Sequence, residues 1–271
     1  TFFVIDRIVY DLYKKELPEF PEGRLFLMDA VEPQKNIQTV MDICEIMTAM
    51  PSKRNTHLVS MGGGIVQDVT GFVATSLYRG IKWTFYPSTL LAACDSCIGG
   101  KSSLNYKKFK NLLGSFYPPD TIPVYSQFFH TLTPKDYCSG LGEVVKFNVI
   151  AGKDGIDKIE KDIDALLNHD YEKLAVYIKN SLEFKKKFIE EDEFDKGVRI
   201  LLNFAHTFGH AYETASEYAI PHGSAVALGM MTANNISVQR GFISQQYASR
   251  IENVCRKILT NIDIKKQWFD L

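Results

Sequence analysis

The sequence lacks the features that mark several large classes of protein. Among its 271 residues, no apolar run approaches the roughly 18–20 residues that cross a bilayer, and Asp6 follows the first apolar residues too closely for a signal peptide. Lys and Arg together number 31, and Asp and Glu together number 32, so the basic excess of a general nucleic-acid-binding protein is missing. We therefore expect a globular cytoplasmic protein with no membrane or nucleic-acid partner.

The pattern of a disulfide framework is missing as well. The five cysteines are an odd number and are scattered through apolar surroundings, which favours a reducing compartment. Cys94 and Cys97 form a C-x-x-C, the spacing of a redox pair or of half a zinc site, but no second C-x-x-C follows. We interpret these two cysteines as small residues packed in a tight turn.

In the first half of the chain, strand-like and helix-like segments alternate. Short apolar runs predict strands over residues 2–5, 24–28, 57–61 and 82–86, and apolar residues at helical spacing predict helices over 38–50 and 65–77. Such alternation is typical of a parallel sheet covered by helices. Ligands of such sheets bind at the carboxyl ends of the strands.

From Pro134 onward the periodicity is mainly helical. Helices are predicted over residues 154–167, 171–190, 199–215 and 223–239. We place a domain boundary near Thr133 and Pro134, which gives domains of 1–132 and 133–271. Because the chain starts inside a strand-like run and stops without a polar tail, we expect both ends to be truncated.

Three glycines, Gly62 to Gly64, follow the third predicted strand and precede a helix. Glycine lets a polyanion approach the backbone, and a helix start offers free N–H groups and the positive end of the helix dipole. The G-x-G-x-x-G fingerprint of dinucleotide-binding proteins is absent. The pattern therefore indicates either a phosphate or dinucleotide site or a tight structural turn.

Polar and basic residues cluster after the fourth predicted strand. They include Ser88, Thr89, Asp95 and Lys101, followed by Lys107, Lys108, Lys110 and Asn111. Lysine and asparagine beside glycine turns suit a phosphorylated, hydroxyl-rich ligand. A solvated surface loop with ordinary lysines is the alternative.

Histidines and a glutamate form a candidate metal-binding set. His206 and His210 lie four residues apart, which places them on one face of a helix, and His222 stands at a predicted helix start. Glu143 lies among the apolar residues of another helix and needs a partner there. A glutamate with two histidines is a ligand set for catalytic zinc with an open position. Hydrogen-bonded core histidines and an ion-paired glutamate are the alternative, since no H-E-x-x-H occurs.

Several ordered motifs resemble those of one enzyme family. They are Gly62-Gly-Gly-x-x-x-Asp68-x-x-Gly71, Pro87-Ser-Thr-Leu-Leu-Ala92, Asp95-Ser-x-Ile-Gly-Gly-Lys101, Lys110-Asn111, Gly140-x-x-Glu143-x-x-Lys146 and Arg199-x-x-x-Asn203-x-x-His206-x-x-x-His210. From about Asp6 to about Met230 the chain resembles the 3-dehydroquinate synthases, which are sugar-phosphate cyclases. The resemblance implies an α/β, Rossmann-like NAD-binding domain over 1–132 and an all-α domain over 133–271 that binds a divalent metal, Zn²⁺ or Co²⁺.

The resemblance also implies roles for individual positions. The metal ligands fall on Glu143, His206 and His222, and the catalytic groups on Lys101, Lys146, Asn203 and His210. The NAD contacts fall on Asp6, Glu32, Lys35, Gly63, Gly64, Asp68, Ser88, Thr89 and Asp95. The substrate-binding residues fall on Arg79, Lys101, Lys110, Asn111, Lys185, Arg199, Asn203 and His210. Arg79 would reach the substrate phosphate from the neighbouring subunit, so a homodimer is implied.

The reaction that the resemblance implies starts from 3-deoxy-D-arabino-heptulosonate 7-phosphate, a phosphorylated keto-acid sugar of seven carbons. NAD oxidises a ring hydroxyl, the neighbouring C–H becomes acidic, and phosphate is eliminated. NADH then returns the hydride, and an aldol closure gives 3-dehydroquinate without net redox change. Lys185 and Arg199 favour a substrate that carries a carboxylate, and two ordinary surface cations are the alternative.

Some positions depart from the family pattern. Residues that replace the usual ones are Gln67, Ser88, Cys97, Phe109, Asp195 and Ser224, and Lys265-Lys266 does not match a later Asp-Lys-Lys element of the family. A divergent cyclase with another sugar phosphate as its substrate therefore stays open. A metal- and NAD-dependent polyol dehydrogenase and a ligand-binding remnant without turnover stay open as well.

Overall fold

The computed structural model describes residues 1–51 and 55–269. The chain divides into two compact units, Thr1–Phe128 and Phe129–Leu271. The first unit ends four residues before the predicted boundary, 132 − 128 = 4, and the functional domains 1–132 and 133–271 stay a prediction. Within the described part of the chain, no helix is long and apolar enough to cross a membrane.

The first unit is built on the predicted parallel sheet. Its strands are β1 (Phe2–Asp6), β2 (Leu25–Met28), β3 (Leu58–Gly62) and β4 (Trp83–Pro87), in the order β2-β1-β3-β4. Every neighbouring pair is parallel, so the carboxyl ends of the strands lie at one edge. The α/β prediction for this half of the chain is confirmed.

The helices of the first unit are α1 (Arg7–Tyr13), α2 (Ile37–Thr48) and α3 (Gly64–Ser76). The Asp6 carboxylate caps α1 by accepting from the Ile8 N–H at 2.9 Å, and the side chain of Asn36 caps α2. The sequence predicted α2 and α3 to within two residues but not the short α1. Helix α3 begins directly at the glycines and has no side-chain cap.

A β-hairpin follows the sheet where the sequence predicted no strand. Its strands, β5 (Lys101–Tyr106) and β6 (Phe109–Phe116), are antiparallel and are joined by a two-residue turn at Lys107 and Lys108. The Ser102 and Ser115 hydroxyls lie 2.7 Å apart across the pair. The alternative of a surface loop is therefore wrong for the backbone from Lys101 onward. Most of β6 is exposed, so no apolar alternation marked it in the sequence.

The second unit is helical, as predicted. It contains α4 (Pro134–Ile150), α5 (Lys153–Leu167), α6 (Tyr171–Glu191), α7 (His206–Ala215), α8 (His222–Gln239) and α9 (Gln245–Ile258). Side chains of Thr133, Asp170 and Ser244 cap α4, α6 and α9. Helices α5, α6 and α8 match their predicted ranges to within one residue, whereas α9 was not predicted.

The single helix predicted over residues 199–215 is wrong. Val198–Asn203 forms a 3₁₀-helix, Ala205 has a left-handed backbone with φ +69°, and α7 begins only at His206. A Cβ at Gly229 of α8 would lie 2.3 Å from the Ala205 carbonyl oxygen. This close approach shows how tertiary packing outweighs the local helical preference of the segment.

All five cysteines carry free thiols. Cys94 and Cys97 are buried and lie within or next to one π-helical turn, Ala92–Ser96. The Cys97 thiol donates to the Ala93 carbonyl oxygen at 3.5 Å. Both residues are packed in the interior of the first unit, in keeping with their interpretation as small packed residues.

Candidate active-site residues

Helix α4 carries a buried carboxylate next to a buried ammonium group. Glu143 is fully buried and Lys146 is 2% exposed, and the Lys146 Nζ lies 2.5 Å from Glu143 Oε2. Among the described residues, neither Glu143 oxygen accepts a hydrogen bond of good geometry. A carboxylate in this state has unused coordinating capacity.

Two imidazoles face the other carboxylate oxygen. His222 Nε2 lies 3.3 Å and His206 Nε2 lies 3.7 Å from Glu143 Oε1. The Nδ1 of His206 lies 3.1 Å from the Phe204 carbonyl oxygen, so this nitrogen donates and leaves the Nε2 lone pair facing Glu143. Helix α7 starts at His206 and α8 at His222, so both rings lie at helix N-termini.

The three groups shift each other's pKa values. Burial alone would raise the pKa of Glu143, but the Lys146 ammonium and the two imidazoles lower it well below its usual range. Burial lowers the pKa of His206, which keeps this ring neutral. Burial also acts against the proton of His222, yet the nearby carboxylates of Glu143 and Glu213 raise the pKa of this ring to about 10.

The donor set fits a divalent metal. One coordinating atom from each of Glu143, His206 and His222 lies within 4.8 Å of the others. One carboxylate oxygen and two imidazole nitrogens are ligands that Zn²⁺ and Co²⁺ share, and three protein ligands leave a coordination position open. The unsatisfied oxygens of a fully buried Glu143 support the same fit.

Glu213 was not singled out in the sequence, yet it belongs to this cluster. Its Oε2 lies 3.3 Å from His222 Nδ1 and 3.9 Å from His210 Nε2. The spacing of three residues from His210 was the available signal. His210 itself is exposed at 62% of its side chain, and Asn203 is exposed as well.

The two cations predicted to bind a substrate carboxylate are buried. Lys185 on α6 is 8% exposed and Arg199 is 2% exposed. The Asp192 carboxylate accepts from the backbone N–H groups of Lys196, Gly197 and Arg199 at 2.9, 2.7 and 3.1 Å. Asp192 therefore fixes the turn that leads into Arg199, and the interpretation of Lys185 and Arg199 as ordinary surface cations is wrong.

In the first unit, a second polar cluster joins α3 to the hairpin. Lys35 Nζ lies 2.6 Å from Asp68 Oδ2 and donates to Asn111 Oδ1 at 2.7 Å. The Ser103 N–H donates to Asp68 Oδ1 at 2.9 Å. Burial raises the pKa of Asp68, although Lys35 and Ser103 act in the opposite direction. Three residues implied by the family resemblance, Lys35, Asp68 and Asn111, thus lie together.

Glu32 and Lys110 are joined to the same cluster by a residue that the sequence did not indicate. The Asn105 side chain donates to Glu32 Oε1 at 2.8 Å and accepts from the Asn111 N–H at 3.0 Å. Lys110 Nζ lies 3.1 Å from Glu32 Oε1. Burial raises the pKa of Glu32, but Asn105 and Lys110 outweigh it, so the net shift is downward.

The remaining predicted residues of the first unit lie in several places, and the glycines, Ser88 and Thr89 follow the carboxyl ends of β3 and β4. A Cβ at Gly64 would meet no atom within 4 Å, whereas one at Gly63 would lie 3.0 Å from Thr89 Cγ2. The Ser88 N–H donates to the Gly62 carbonyl oxygen at 2.8 Å. The backbone at α3 is therefore open to a ligand. Others are Asp6 at the end of β1, Asp95 in the π-helical turn, Arg79 (exposed) and Lys101 (exposed) at the start of β5.

The fold is that of the sugar-phosphate cyclases. A 2-deoxy-scyllo-inosose synthase, solved in complex with carbaglucose-6-phosphate, NAD⁺ and Co²⁺, matches with a TM-score of 0.86 and 27% identity over 99% of this chain and 76% of its own. The 2-epi-5-epi-valiolone synthase from Streptomyces hygroscopicus subsp. jinggangensis 5008, solved with NAD⁺ and Zn²⁺ bound, has a TM-score of 0.86 over 97% of this chain and 75% of its own. Its identity is 24%, so this second likeness concerns the fold alone.

Sequence comparison identifies the family within this class. The model of the N-terminal region of 3-dehydroquinate synthase matches residues 25–139, and that of the C-terminal region matches residues 140–270. The 3-dehydroquinate synthase of Dictyoglomus turgidum is 36% identical over 255 residues, which are 94% of this chain and 72% of the relative's length. The chain belongs to the 3-dehydroquinate synthase family.

Proposed function

We propose that this chain converts 3-deoxy-D-arabino-heptulosonate 7-phosphate into 3-dehydroquinate, with elimination of phosphate and with NAD and a divalent metal as cofactors. The observation that carries the proposal is the fully buried Glu143, whose Oε1 faces His222 and His206 at 3.3 and 3.7 Å. A buried carboxylate is costly to fold unless its charge and its lone pairs both have partners. Lys146 supplies the counter-charge, and a bound cation would use the lone pairs that face the two imidazoles. Family membership supports the same reaction.

Glu143, His206 and His222 would hold the metal, which is Zn²⁺ or Co²⁺. When bound, such a cation acts as a Lewis acid that polarises a substrate hydroxyl or carbonyl oxygen. Lys146, 2.5 Å from Glu143 Oε2, keeps the carboxylate ionised and contributes a positive charge that stabilises negative charge on the substrate. His210 stands one turn from His206 on α7 with its side chain exposed, so it can hold and release a proton.

The carboxyl edge of the sheet would bind the dinucleotide. NAD supplies a hydride acceptor that is regenerated in each turnover. The uncapped start of α3 offers backbone N–H groups for a pyrophosphate, and the lack of a side chain at Gly64 keeps the approach open. The remaining proposed NAD contacts are Asp6, Glu32, Lys35, Gly63, Asp68, Ser88, Thr89 and Asp95.

The substrate's two anionic ends suit different groups of cations. Lys185 and Arg199 would bind the carboxylate, because buried cations are strong partners for an anion. Lys101, Lys110 and Asn111 would bind the phosphate end together with Arg79 of a neighbouring copy. Asn203, next to the start of α7, would bind the ring. The role of Arg79 implies a homodimer, and the free cysteine thiols support a reducing, cytoplasmic location.

The decisive experiment is a coupled assay of phosphate release and NADH absorbance. The protein is given 3-deoxy-D-arabino-heptulosonate 7-phosphate, catalytic NAD, and Zn²⁺ or Co²⁺. Many turnovers of phosphate without accumulation of NADH are expected. No phosphate release would refute this substrate in favour of another sugar phosphate, and NADH accumulating with polyols would indicate a dehydrogenase.

A further inference from the structure

The His222 ring lies between two carboxylates, of which only one belongs to the proposed metal ligands. Its Nε2 is 3.3 Å from Glu143 Oε1, and its Nδ1 is 3.3 Å from Glu213 Oε2. The Glu213 side chain is 14% exposed, so the contact is largely shielded from water. Each ring nitrogen therefore has its own carboxylate.

We propose that Glu213 is a positioning residue that orients His222 for metal binding. The proposal rests on the metal centre put forward above. Glu213 accepts from the Nδ1–H of His222. Once a metal displaces the proton on Nε2, this hydrogen bond would hold the ring in the tautomer whose Nε2 lone pair binds the cation. The Nε2 atom then faces Glu143 and His206. Without Glu213, the His222 ring can rotate or can carry its single proton on Nε2. Either change removes the Nε2 atom of His222 from the set of metal ligands.

The other proposed histidine ligand, His206, is oriented by a backbone carbonyl group instead of a carboxylate. His206 Nδ1 lies 3.1 Å from the Phe204 carbonyl oxygen, which orients its Nε2 in the same way. Both proposed histidine ligands thus have an acceptor on the nitrogen that faces away from Glu143. A side-chain substitution cannot remove the Phe204 carbonyl group. The test of the proposal therefore replaces Glu213.

A purely structural role for Glu213 has little to support it. Helix α7 is held against α8 by other contacts, including a hydrogen bond of 2.7 Å between the hydroxyls of Tyr212 and Thr232. Gly209 also fits closely against α8, where a Cβ would lie 3.2 Å from Val226 Cα. These contacts do not involve the Glu213 carboxylate, so we expect the two helices to stay packed when it is removed.

A second arrangement must be distinguished by the experiment. His210, Glu213 and His222 also offer three coordinating atoms within 4.8 Å of one another. If a cation bound there, Glu213 would be a direct ligand and His210 would be one too. In the arrangement that we propose, replacement of His210 leaves metal affinity unchanged.

The test measures the affinity of the protein for Zn²⁺ by competition with a chromogenic chelator, and the visible spectrum of the Co²⁺-loaded protein. Glu213→Ala is expected to weaken affinity by about 10- to 100-fold and to alter the Co²⁺ spectrum. Glu213→Gln keeps a neutral acceptor of the same shape, so its affinity is expected between those of Glu213→Ala and wild type. Glu217→Gln, an exposed charge change just beyond α7, is the matched control and should bind like wild type.

The circular dichroism of the metal-free variants separates positioning from folding. Glu213→Gln should keep the helical content of the wild type, although its thermal midpoint should fall somewhat because a carboxylate that faces the His222 ring has lost its charge. This variant provides the test if Glu213→Ala does not fold. Wild-type affinity in both Glu213 variants would overturn the proposal, and so would an equal loss in His210→Ala. A wild-type protein that binds neither ion would instead refute the metal centre itself.

Discussion

Gly142 in α4 and Gly223 in α8 are in direct backbone contact. A Cβ at Gly142 would lie only 2.1 Å from the Gly223 carbonyl oxygen. Each glycine is the sequence neighbour of a proposed metal ligand, Glu143 in one case and His222 in the other. The crossing of these two helices therefore sets the distance between the carboxylate and the imidazole.

Gly142→Ala is expected to weaken metal binding as well as the fold. The new methyl group must push α8 away from α4, at a cost of about 1–3 kcal/mol in free energy of unfolding for overpacking. Gly155→Ala in α5 is the matched control, because its Cβ would lie 2.1 Å from the Asn148 carbonyl oxygen, away from the ligands. Chemical denaturation and Zn²⁺ titration check both variants. The same Zn²⁺ affinity in the two would contradict the role of the helix crossing.

Glu143→Gln is expected to lower metal content and activity together. The amide is a poor metal ligand, and it leaves the Lys146 ammonium buried without a counter-charge. Removal of one partner from a buried ion pair costs about 3–5 kcal/mol, so the free energy of unfolding should fall as well. Metal analysis, the phosphate-release assay and denaturation measure the three effects. Glu160→Gln, at a surface pair with Arg250, is the control, and full activity in Glu143→Gln would contradict the proposed site.

Asp192→Ala is expected to raise the KM for the keto-acid substrate while metal affinity stays unchanged. The carboxylate orders the turn that precedes Arg199 through three backbone hydrogen bonds. A small displacement of a binding group can cost up to about 100-fold in kcat/KM, and we expect a loss between roughly 10- and 100-fold. Glu191→Gln changes an exposed neighbour and should behave as wild type. An unchanged KM in Asp192→Ala would argue against Arg199 as a carboxylate-binding residue.

The stability of the helical unit should depend on pH through Asp162. A hydrogen bond of 2.7 Å from Lys173 lowers the pKa of this carboxyl group, burial acts the other way, and the Tyr177 hydroxyl at 3.2 Å lowers it further. Since the pKa in the folded state is depressed, the stabilisation is present above the unfolded-state pKa and is lost as the pH falls through the folded-state pKa.

The thermal midpoint of Asp162→Asn should therefore lie about 1–3 °C below that of wild type at neutral pH. The difference should begin to shrink as the pH falls below about 4, where the carboxyl group of the unfolded state takes up a proton. It should vanish only below the depressed pKa of the folded state, where the wild-type group is protonated too. Asp263→Asn, an exposed change with no ion pair among the described residues, is the control. A difference that does not depend on pH would show that the charge of Asp162 is not its cause.

The sequence predicted the strands that are buried on both faces and the helices that bury one apolar face. Strands β1, β3 and β4 are buried runs of apolar residues, and α5 and α6 have clear apolar faces. The hairpin and the break at Ala205 escaped prediction for two different reasons. Strand β6 has no buried face, and Ala205 takes its left-handed backbone from contact with α8 rather than from local preference.

The candidate site was predicted to a similar degree. A glutamate among apolar residues and several histidines indicated a metal site, but helical spacing pairs His206 with His210. Only the family resemblance selected Glu143, His206 and His222 as the ligands. The sequence did not single out Ser103, Asn105 and Glu213. Residues of these types are common on the surfaces of strands and helices, where they have no functional role. Their partners come from other elements of the same unit and are revealed only by the fold.

The order of the helices in the second unit has a consequence for the time course of folding. Contacts between residues that lie far apart along the chain form slowly, because a long loop must close first. Helices α7 and α8 are consecutive and pack directly on each other. On dilution from denaturant, His206, Glu213 and His222 should therefore come together early, while Glu143, on the more distant α4, joins them later.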